Sequence, residues 1–194
     1  MSKERDEKRE RVFLCSILCH TPMSTCDRFH IASGIIKNKR IVGVGYNGSL
    51  PGEPHCDEAG HLMIDGHCER TNHSEENAVF NTDPKQLEGA TVMIVGTPCI
   101  RCLRTLISVG IKKIICYGEY DNAKGKEFMS ELKRKDIVFE QRYVDYQQLF
   151  QQLFDDMTNK GGILHRENYR LKVTKVPLDG ALPKRDAGLR TKKT

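Results

Sequence analysis

The sequence predicts an α/β fold with a partly parallel sheet, and two patterns in its 194 residues support that prediction. From His73 to Met157, β-rich runs alternate with helical runs, the order expected when helices connect neighbouring strands. Nearer the start, two β-rich runs flank the polar residues 37–40, which is typical of an antiparallel hairpin. A hairpin and helical connections in one chain favour a sheet with both strand directions.

The individual elements can be assigned in order from periodicity and turn residues. Residues 3–20 carry charges first and apolar residues at helical spacing later, and Pro22 marks the end of that helix. The predicted elements that follow are strands 31–36 and 41–46, helix 74–81, strand 91–95, helix 99–109, strand 111–117, helix 124–135, strand 137–140 and helix 146–157.

Residues 48–72 interrupt this regular order. They are rich in Gly, Pro, His and Cys and show no sustained period. A loop of this length inside a compact domain is usually functional or needs a cross-link. A bound metal ion is the cross-link that this composition favours.

Length and charge limit the classes of function. The length suits one domain, predicted over residues 1–158, with a basic extension over residues 159–194 that is partly extended or disordered. The net charge is +5, yet residues 166–194 hold nine Lys/Arg and three Asp/Glu, which leaves 22 basic and 23 acidic residues before them. A duplex-binding domain carries clustered basic residues on its folded part. Nucleic-acid binding is therefore disfavoured except through the extension.

The sequence also argues against membrane insertion and secretion. Its longest uncharged apolar runs, such as residues 12–19, are far shorter than the ~18 residues needed to cross a bilayer. Residues 1–11 mix both charge signs in place of a signal-peptide pattern. We therefore expect a cytoplasmic protein whose cysteines, where interleaved with histidines, bind metal. Cys15, Cys19 and Cys116 fall on predicted apolar faces and are expected in the core.

Two short motifs carry the predicted chemistry, H-x-E at residues 73–75 and P-C-x-x-C at residues 98–102. Together they form the established signature of zinc-dependent nucleobase deaminases. His73 starts one predicted helix, and Cys99 and Cys102 open another directly after a strand. Cysteines three residues apart on a helix lie about 5–6 Å apart at Cβ. An imidazole and two thiolates can therefore converge on one zinc ion.

Three protein ligands leave the fourth tetrahedral position of zinc to water, as a catalytic site requires, whereas a structural zinc would need a fourth protein ligand. Two thiolates cancel the +2 charge of the zinc ion, so the ion lowers the pKa of its bound water less than an all-histidine site would. A base is therefore needed nearby. Glu75 lies off the helical face of His73, which suits hydrogen bonding to water better than metal binding. We predict that Glu75 takes a proton from the attacking water, delivers it to a ring nitrogen and later protonates the leaving amine. The predicted reaction is hydrolytic deamination.

These residues resemble the cytidine deaminase superfamily and, within it, the deoxycytidylate (dCMP) deaminase family, over about residues 10–143. Further similar motifs are G-Y-N-G-S at residues 45–49 and the Cys/His-rich stretch 55–68. The resemblance implies a three-layer α/β/α fold with a mixed five-stranded sheet. It also implies conversion of dCMP and water to dUMP and ammonia by a homo-oligomer. Family members are often regulated by dCTP and dTTP, with Mg²⁺ accompanying the allosteric nucleotide.

The same resemblance implies three substrate-binding residues. Asn47 matches the family residue that contacts the deoxyribose hydroxyl. Arg28 and Tyr120 match positions near the nucleotide, where a guanidinium suits phosphate and an aromatic face suits stacking. The alternatives are a turn role for Asn47, since Asn-Gly is a favoured turn dipeptide, and plain surface positions for the other two.

A second, structural zinc site is predicted for the long loop, where a closed set of four ligands would fix its conformation. Related sequences often have Cys at the position of His61, so the resemblance makes His61 the first choice for the fourth ligand. The alternative is that these thiols and imidazoles stay free. The candidate ligands are Cys26, Cys56, Cys68 and one of His61, His67 and His55.

The sequence departs from the family pattern next to the motifs. Ser74 stands where the family usually has Ala, Glu76 where it has an apolar residue, and residues 31–33 read Ile-Ala-Ser where Val-Gly-Ala is more usual. We expect the Ser74 hydroxyl beside the substrate pocket and added bulk from residues 32–33 near the base. These changes bear on base preference more than on reaction type.

Two other functions stay open from the sequence. One is a nucleic-acid cytosine or adenine deaminase whose basic extension gathers RNA or single-stranded DNA. The neutral body and the lack of aromatic residues among the basic ones disfavour it. The other is a non-catalytic zinc protein, such as a competence or partner-binding protein. An intact Glu75 disfavours that function because metal binding does not require it.

Overall fold

A mixed five-stranded sheet forms the centre of the structure, a computed structural model that describes residues 3–64, 66–118, 123–132, 136–166 and 169–175. Among these residues, no helix has the length and apolarity to cross a bilayer. The helices are α1 (Lys3–Leu18), α2 (Cys56–Ala59), α3 (Ser74–Phe80), α4 (Ile100–Ser108), α5 (Ala123–Glu131), α6 (Tyr146–Thr158) and α7 (Ile163–Arg166), with 3-10 turns at Thr21–Met23 and Pro84–Gln86. The strands are β1 (Ala32–Lys37), β2 (Arg40–Tyr46), β3 (Gly48–Ser49), β4 (Met63–Ile64), β5 (His67–Cys68), β6 (Thr71–Asn72), β7 (Thr91–Val95), β8 (Lys113–Tyr117) and β9 (Val138–Arg142).

The central sheet has the strand order β2-β1-β7-β8-β9. β1 runs antiparallel to both of its neighbours, β2 and β7. β7, β8 and β9 are parallel to one another, and the chain passes through α4 and then α5 between them. The prediction of a mixed sheet with a hairpin and helical connections is therefore confirmed.

The core lies on both faces of the sheet. Along β7, Val92 and Ile94 pack in a cluster with residues of α3 and α4, whereas Met93 packs with α1 and α6. β8 repeats the alternation, with Ile114 on the first side and Ile115 on the second. A parallel strand covered on both faces is apolar almost throughout, which explains the continuous hydrophobic runs here. The architecture is the three-layer α/β/α arrangement that the family resemblance implied.

The β1–β2 hairpin and the packing of α3 position the start of that helix. Asn38 and Lys39 have φ angles of 49° and 61°, as a two-residue type I′ turn requires. Farther along β2, a Cβ atom at Gly45 would overlap the α3 backbone at Ser74. Glycine therefore lets α3 lie directly against the strand. This close approach fixes the position of His73, the residue before α3.

Several local features differ from the sequence predictions. α1 ends at Leu18, and Cys19, which follows it, is exposed, so the core placement predicted for Cys19 is wrong. Cys15 and Cys116 are buried as expected. The stretch 48–72 contains α2 and two small ribbons, β3–β6 and β4–β5, which are too short to show a sequence period.

The C-terminal part shows one further difference. α6 ends at Thr158, and α7 then forms a helical turn that the sequence analysis did not assign. Residues 171 and 173 lie along α6, where the Gln151 side chain accepts a hydrogen bond from the Val173 N–H and donates one to the Leu171 carbonyl. Residues 176–194, which are part of the predicted basic extension 159–194, lie outside the described part of the chain.

Candidate active site

The starts of α3 and α4 bring the two sequence motifs together. His73 precedes α3, Cys99 precedes α4, and Cys102 lies in the first turn of α4. The Nδ1 atom of His73 lies 3.5 Å from Sγ of Cys99 and 3.3 Å from Sγ of Cys102, and the two sulfurs are 3.6 Å apart. Zinc bonds of about 2.0–2.3 Å at tetrahedral angles place ligand atoms at similar separations. The donor set therefore fits a zinc ion.

Local electrostatics favour the thiolate form at Cys99 and disfavour it at Cys102. The pKa of Cys99 falls to about 3 because of its hydrogen bonds with the Cys102 side chain, the His73 ring and the Cys102 backbone N–H. The pKa of Cys102 is raised by the same pairing and by burial. The two sulfurs therefore hold one proton between them, and a divalent cation would displace it.

Glu75 lies beside this cluster in the first turn of α3. Its side chain is only 4% exposed, yet it lines the same pocket as His73 and Cys99. Burial raises the pKa of its carboxyl, although the nearby His73 opposes the shift. A raised pKa makes the carboxylate a better proton acceptor, which suits a group that takes up a proton and releases it again. The structure therefore places the predicted proton shuttle at the edge of the metal-ligand set.

The Ser74 hydroxyl lies in the protein interior. It is fully buried, donates a hydrogen bond of 2.9 Å to Oε2 of Glu75 and lies 2.7 Å from the Ser33 hydroxyl. The hydroxyl therefore lies next to a pocket residue, Glu75, without lining the pocket itself. The Ser74 backbone packs against Gly45 of β2, where α3 lies directly on the sheet.

The pocket opens on one side of the ligand cluster. Cys102 is fully buried, whereas His73, Cys99 and Glu75 line the pocket wall. Polar and apolar side chains share the rest of the wall, as is usual for small-molecule sites. Further wall residues are Arg28, Phe29, Ile31, Asn47, His67 and Thr71.

Asn47 joins the pocket to the start of α3. Its Oδ1 accepts a hydrogen bond of 2.9 Å from the Ser74 N–H, and its Nδ2 donates one of 2.9 Å to the Phe29 carbonyl. An amide oxygen accepts two hydrogen bonds and an amide nitrogen donates two, so each atom keeps capacity for a ligand. Asn47 therefore has a structural role, and it is also placed to contact a molecule in the pocket.

Arg28 lies in the pocket wall near the β4–β5 ribbon. Its Nη1 is 3.0 Å from the Met63 sulfur and donates a 3.0 Å hydrogen bond to the Gly66 carbonyl. A guanidinium has five N–H donors, so these contacts orient the group without exhausting it. Tyr120, the third predicted substrate residue, lies outside the described residues.

A second cluster consists of Cys26, Cys56, His61 and Cys68, whose ligand atoms all lie within 4.8 Å of one another. The Cys56 and Cys68 sulfurs are 3.6 Å apart, and the Cys26 sulfur is 3.8 Å from Nδ1 of His61. Nε2 of His61 lies 2.9 Å from a carboxylate oxygen of Asp27. This pairing points Nδ1 at the sulfurs, the outer-shell arrangement common for metal-binding histidines.

The structure separates the three histidines that the sequence left as candidate fourth ligands. His61 joins the cysteines, whereas His67 faces the catalytic pocket, its ring centroid 6.2 Å from that of His73. His55 precedes α2. His67 and Cys68 are adjacent in β5, and alternate residues of a strand point to opposite sides. β5 has only two residues, so no sequence period marks it, and the structure alone assigns His67 to the pocket wall.

An ion-pair bridge between α3 and α4 was not predicted. Glu76 accepts a hydrogen bond of 3.1 Å from the His73 N–H, and its carboxylate lies 3.2 Å from Nε of Arg101. Arg101 also donates a 2.8 Å hydrogen bond to Glu69. The unusual Glu at position 76 therefore ties the two ligand-bearing helix starts together.

Comparisons with known proteins agree with this fold and donor set. The model of the family described as the cytidine and deoxycytidylate deaminase zinc-binding region matches residues 6–118. ComE operon protein 2 of Bacillus subtilis is 35% identical over 140 residues, which are 71% of this chain and 69% of that protein. The deoxycytidylate deaminase of Mycobacterium phage D29 is 26% identical over 103 residues, 47% of this chain and 80% of that protein. The chain therefore belongs to the cytidine and deoxycytidylate deaminase family.

A solved structure shares the fold. The dCMP deaminase of cyanophage S-TIM5, determined in complex with dCMP and dUMP, superposes with a TM-score of 0.59 at 23% identity. The match covers 73% of this chain and 99% of the phage protein. The family and the fold class inferred from the sequence are both confirmed.

Proposed function

We propose that this chain is a zinc-dependent enzyme that hydrolyses dCMP to dUMP and ammonia. The observation that carries the proposal is the convergence of His73, Cys99 and Cys102 beside the buried Glu75, in a pocket that also contains Arg28. Three protein donors are the number that catalytic zinc sites use, because one position must stay open. The deoxycytidylate deaminases among the relatives support a pyrimidine nucleotide as substrate.

His73, Cys99 and Cys102 would hold the zinc ion, which would supply Lewis-acid activation of the attacking water. Glu75 accepts a proton from this water and delivers it to N3 of the cytosine ring, while the water oxygen bonds to C4. Glu75 then carries the remaining hydroxyl proton to the exocyclic amine. The C4–N bond breaks, ammonia leaves, and the C4 carbonyl of uracil forms.

We assign recognition of the phosphate and of the sugar of the substrate to Arg28 and Asn47. Arg28 binds the 5′-phosphate through the N–H donors that Met63 and Gly66 do not occupy. Asn47 binds the deoxyribose hydroxyl with the remaining capacity of its amide group. Tyr120 is expected to contribute an aromatic face, as the resemblance implied.

The second cluster is assigned as a closed structural zinc site. Three cysteines and His61 supply all four tetrahedral ligands, and Asp27 orients the imidazole. The segments that carry these ligands also line the active pocket, since Arg28 follows Cys26 closely and His67 precedes Cys68. An ion at this cluster would therefore hold the substrate-binding walls in place.

One assay tests the substrate assignment. Purified protein is incubated with dCMP, deoxycytidine, dCTP, cytosine-containing oligonucleotides and a tRNA pool, and ammonia release is measured. We expect turnover of dCMP to exceed that of every other substrate. Preferential turnover of an oligonucleotide would replace the proposal with a nucleic-acid deaminase. Inactivity on all substrates would favour a non-catalytic zinc protein.

Three features implied by the family resemblance, and a fourth expected from the short apolar runs and the charge pattern of residues 1–11, stay predictions. They are the homo-oligomer, the dCTP and dTTP effectors, the Mg²⁺ that accompanies an allosteric nucleotide and the cytoplasmic location. Sedimentation velocity of the full chain, with and without dCTP and Mg²⁺, measures the first three together. A monomer whose sedimentation and dCMP kinetics do not respond to these ligands would contradict them.

A further inference from the structure

A chain of buried hydroxyl groups leads from the central sheet to Glu75. Ser33 lies on β1 and Ser74 begins α3, and both residues are 0% exposed. Their Oγ atoms are 2.7 Å apart, and the Ser74 hydroxyl lies 2.9 Å from Oε2 of Glu75. Three polar groups are therefore linked in series in the interior.

The direction of these hydrogen bonds follows from donor counting. A serine hydroxyl has a single hydrogen. Because Ser74 donates that hydrogen to the Glu75 carboxylate, the bond between the two serines must be donated by Ser33. Ser33 is held in the sheet between Gly45 of β2 and Ile94 of β7, so the far end of the chain is rigid.

We propose that Ser74, supported by Ser33, is a positioning residue for Glu75, an inference that rests on the proposed deaminase function. A hydrogen bond to Oε2 restricts rotation of the carboxylate and leaves Oε1 free of this contact. Proton transfer needs the carboxylate within hydrogen-bond reach of the water and of the base, so a freely rotating group is less effective. The two hydroxyls replace apolar groups expected from the family pattern, so this support is a property of this chain.

The test separates positioning of Glu75 from substrate binding. We expect Ser74→Ala to lower kcat for dCMP about ten- to a hundred-fold, the scale of one lost hydrogen bond to a charged group, with KM changed less than about two-fold. Ser74→Thr retains a hydroxyl and should restore most of kcat. Zinc content should equal that of the parent protein. A parent-like kcat for Ser74→Ala, or a change confined to KM, would overturn the proposal.

A double-mutant cycle tests the series arrangement. Once Ser74 is Ala, Ser33 has lost its acceptor, so Ser33→Ala should cause little further loss of kcat in that background. If the loss of kcat in the double variant equals the product of the losses in the two single variants, the two hydroxyls do not act in series. Thr82→Val serves as the matched control, because Thr82 is a buried hydroxyl near the end of α3 that bonds to the Ala78 carbonyl. It should leave kcat unchanged.

A stability measurement distinguishes failure of this proposal from failure of the proposed function. Urea unfolding of Ser74→Ala, Glu75→Gln and the double variant gives the coupling between the two side chains without any turnover. Absence of coupling would refute the hydrogen bond itself. Coupling in a parent protein that turns over no substrate would refute both the deaminase function and the positioning role.

Discussion

The two Cys/His clusters of this protein use similar donors in different surroundings. The first has three ligands, His73, Cys99 and Cys102, which sit at two helix starts that packing against the sheet holds in place. The second has four ligands on short ribbons and loops outside the central sheet, Cys26, Cys56, His61 and Cys68.

The number of ligands and the neighbouring carboxylate explain the difference in proposed role. Glu75 lines the pocket beside the three-ligand cluster, where it can exchange a proton with water. Asp27 lies against the outer nitrogen of His61, where it is placed to orient a candidate ligand. Two metal sites with similar donors can therefore differ in role. What distinguishes them is whether one ligand position stays open and where the nearest carboxylate lies.

The largest expected effect comes from removing the proton shuttle at the first cluster. Glu75→Gln keeps the size of the side chain and removes its ability to accept a proton, so kcat for dCMP should fall about 10²–10⁴-fold. Metal analysis should find the same zinc content as in the parent protein. Unchanged turnover would show that another group moves the proton.

Cysteine replacements at the two clusters should differ in their effect on the free energy of unfolding. Cys102→Ser should abolish turnover and remove one zinc ion per chain with the fold retained. Cys56→Ser should remove the other ion and lower the free energy of unfolding by on the order of 3 kcal/mol, because the ribbons lose their cross-link. Metal content and urea unfolding are the measurements. Equal destabilisation by both replacements would contradict the division into catalytic and structural sites.

Arg28, which lies close to the second cluster in the chain and lines the pocket, is the next position to test, because it is the residue proposed to bind the phosphate. Arg28→Ala should raise KM for dCMP about 10–100-fold and leave KM for deoxycytidine unchanged, because only dCMP offers a phosphate. Arg104→Ala, an exposed arginine of α4, is the matched control and should change neither constant. Parallel losses for both substrates would place Arg28 outside phosphate recognition.

The smallest expected effect concerns the outer shell of the second cluster. Asp27→Asn weakens the orientation of His61 and should lower zinc affinity at that cluster about 10-fold. Competition with a chelator of known affinity measures this change. Zinc at the first cluster should be retained at the same chelator concentration. Loss of both ions together would show that the clusters do not bind metal independently.

The ligand trio was predictable because helix starts are set by local sequence. H-x-E and P-C-x-x-C lie where hydrophobic periodicity begins, so the positions of His73 and the two cysteines follow from motif and period alone. The fourth ligand of the second cluster was not predictable in this way, although the family resemblance made His61 the first choice and the structure groups His61 with the three cysteines. His55, His61 and His67 all lie in a stretch without a period, so no local rule ranks them.

The sequence by itself determined the fold class, the family and the residues of the three-ligand cluster, because short motifs and apolar periodicity are local properties of the chain. The family resemblance made His61 the first choice for the second cluster, but only the tertiary structure showed that it joins the cysteines, that His67 lines the pocket and that the Ser74 hydroxyl contacts Glu75 and Ser33. These outcomes depend on how closely separate segments approach one another, as Gly45 allows α3 to do against β2. Such distances arise from packing, and packing is a property of the whole fold.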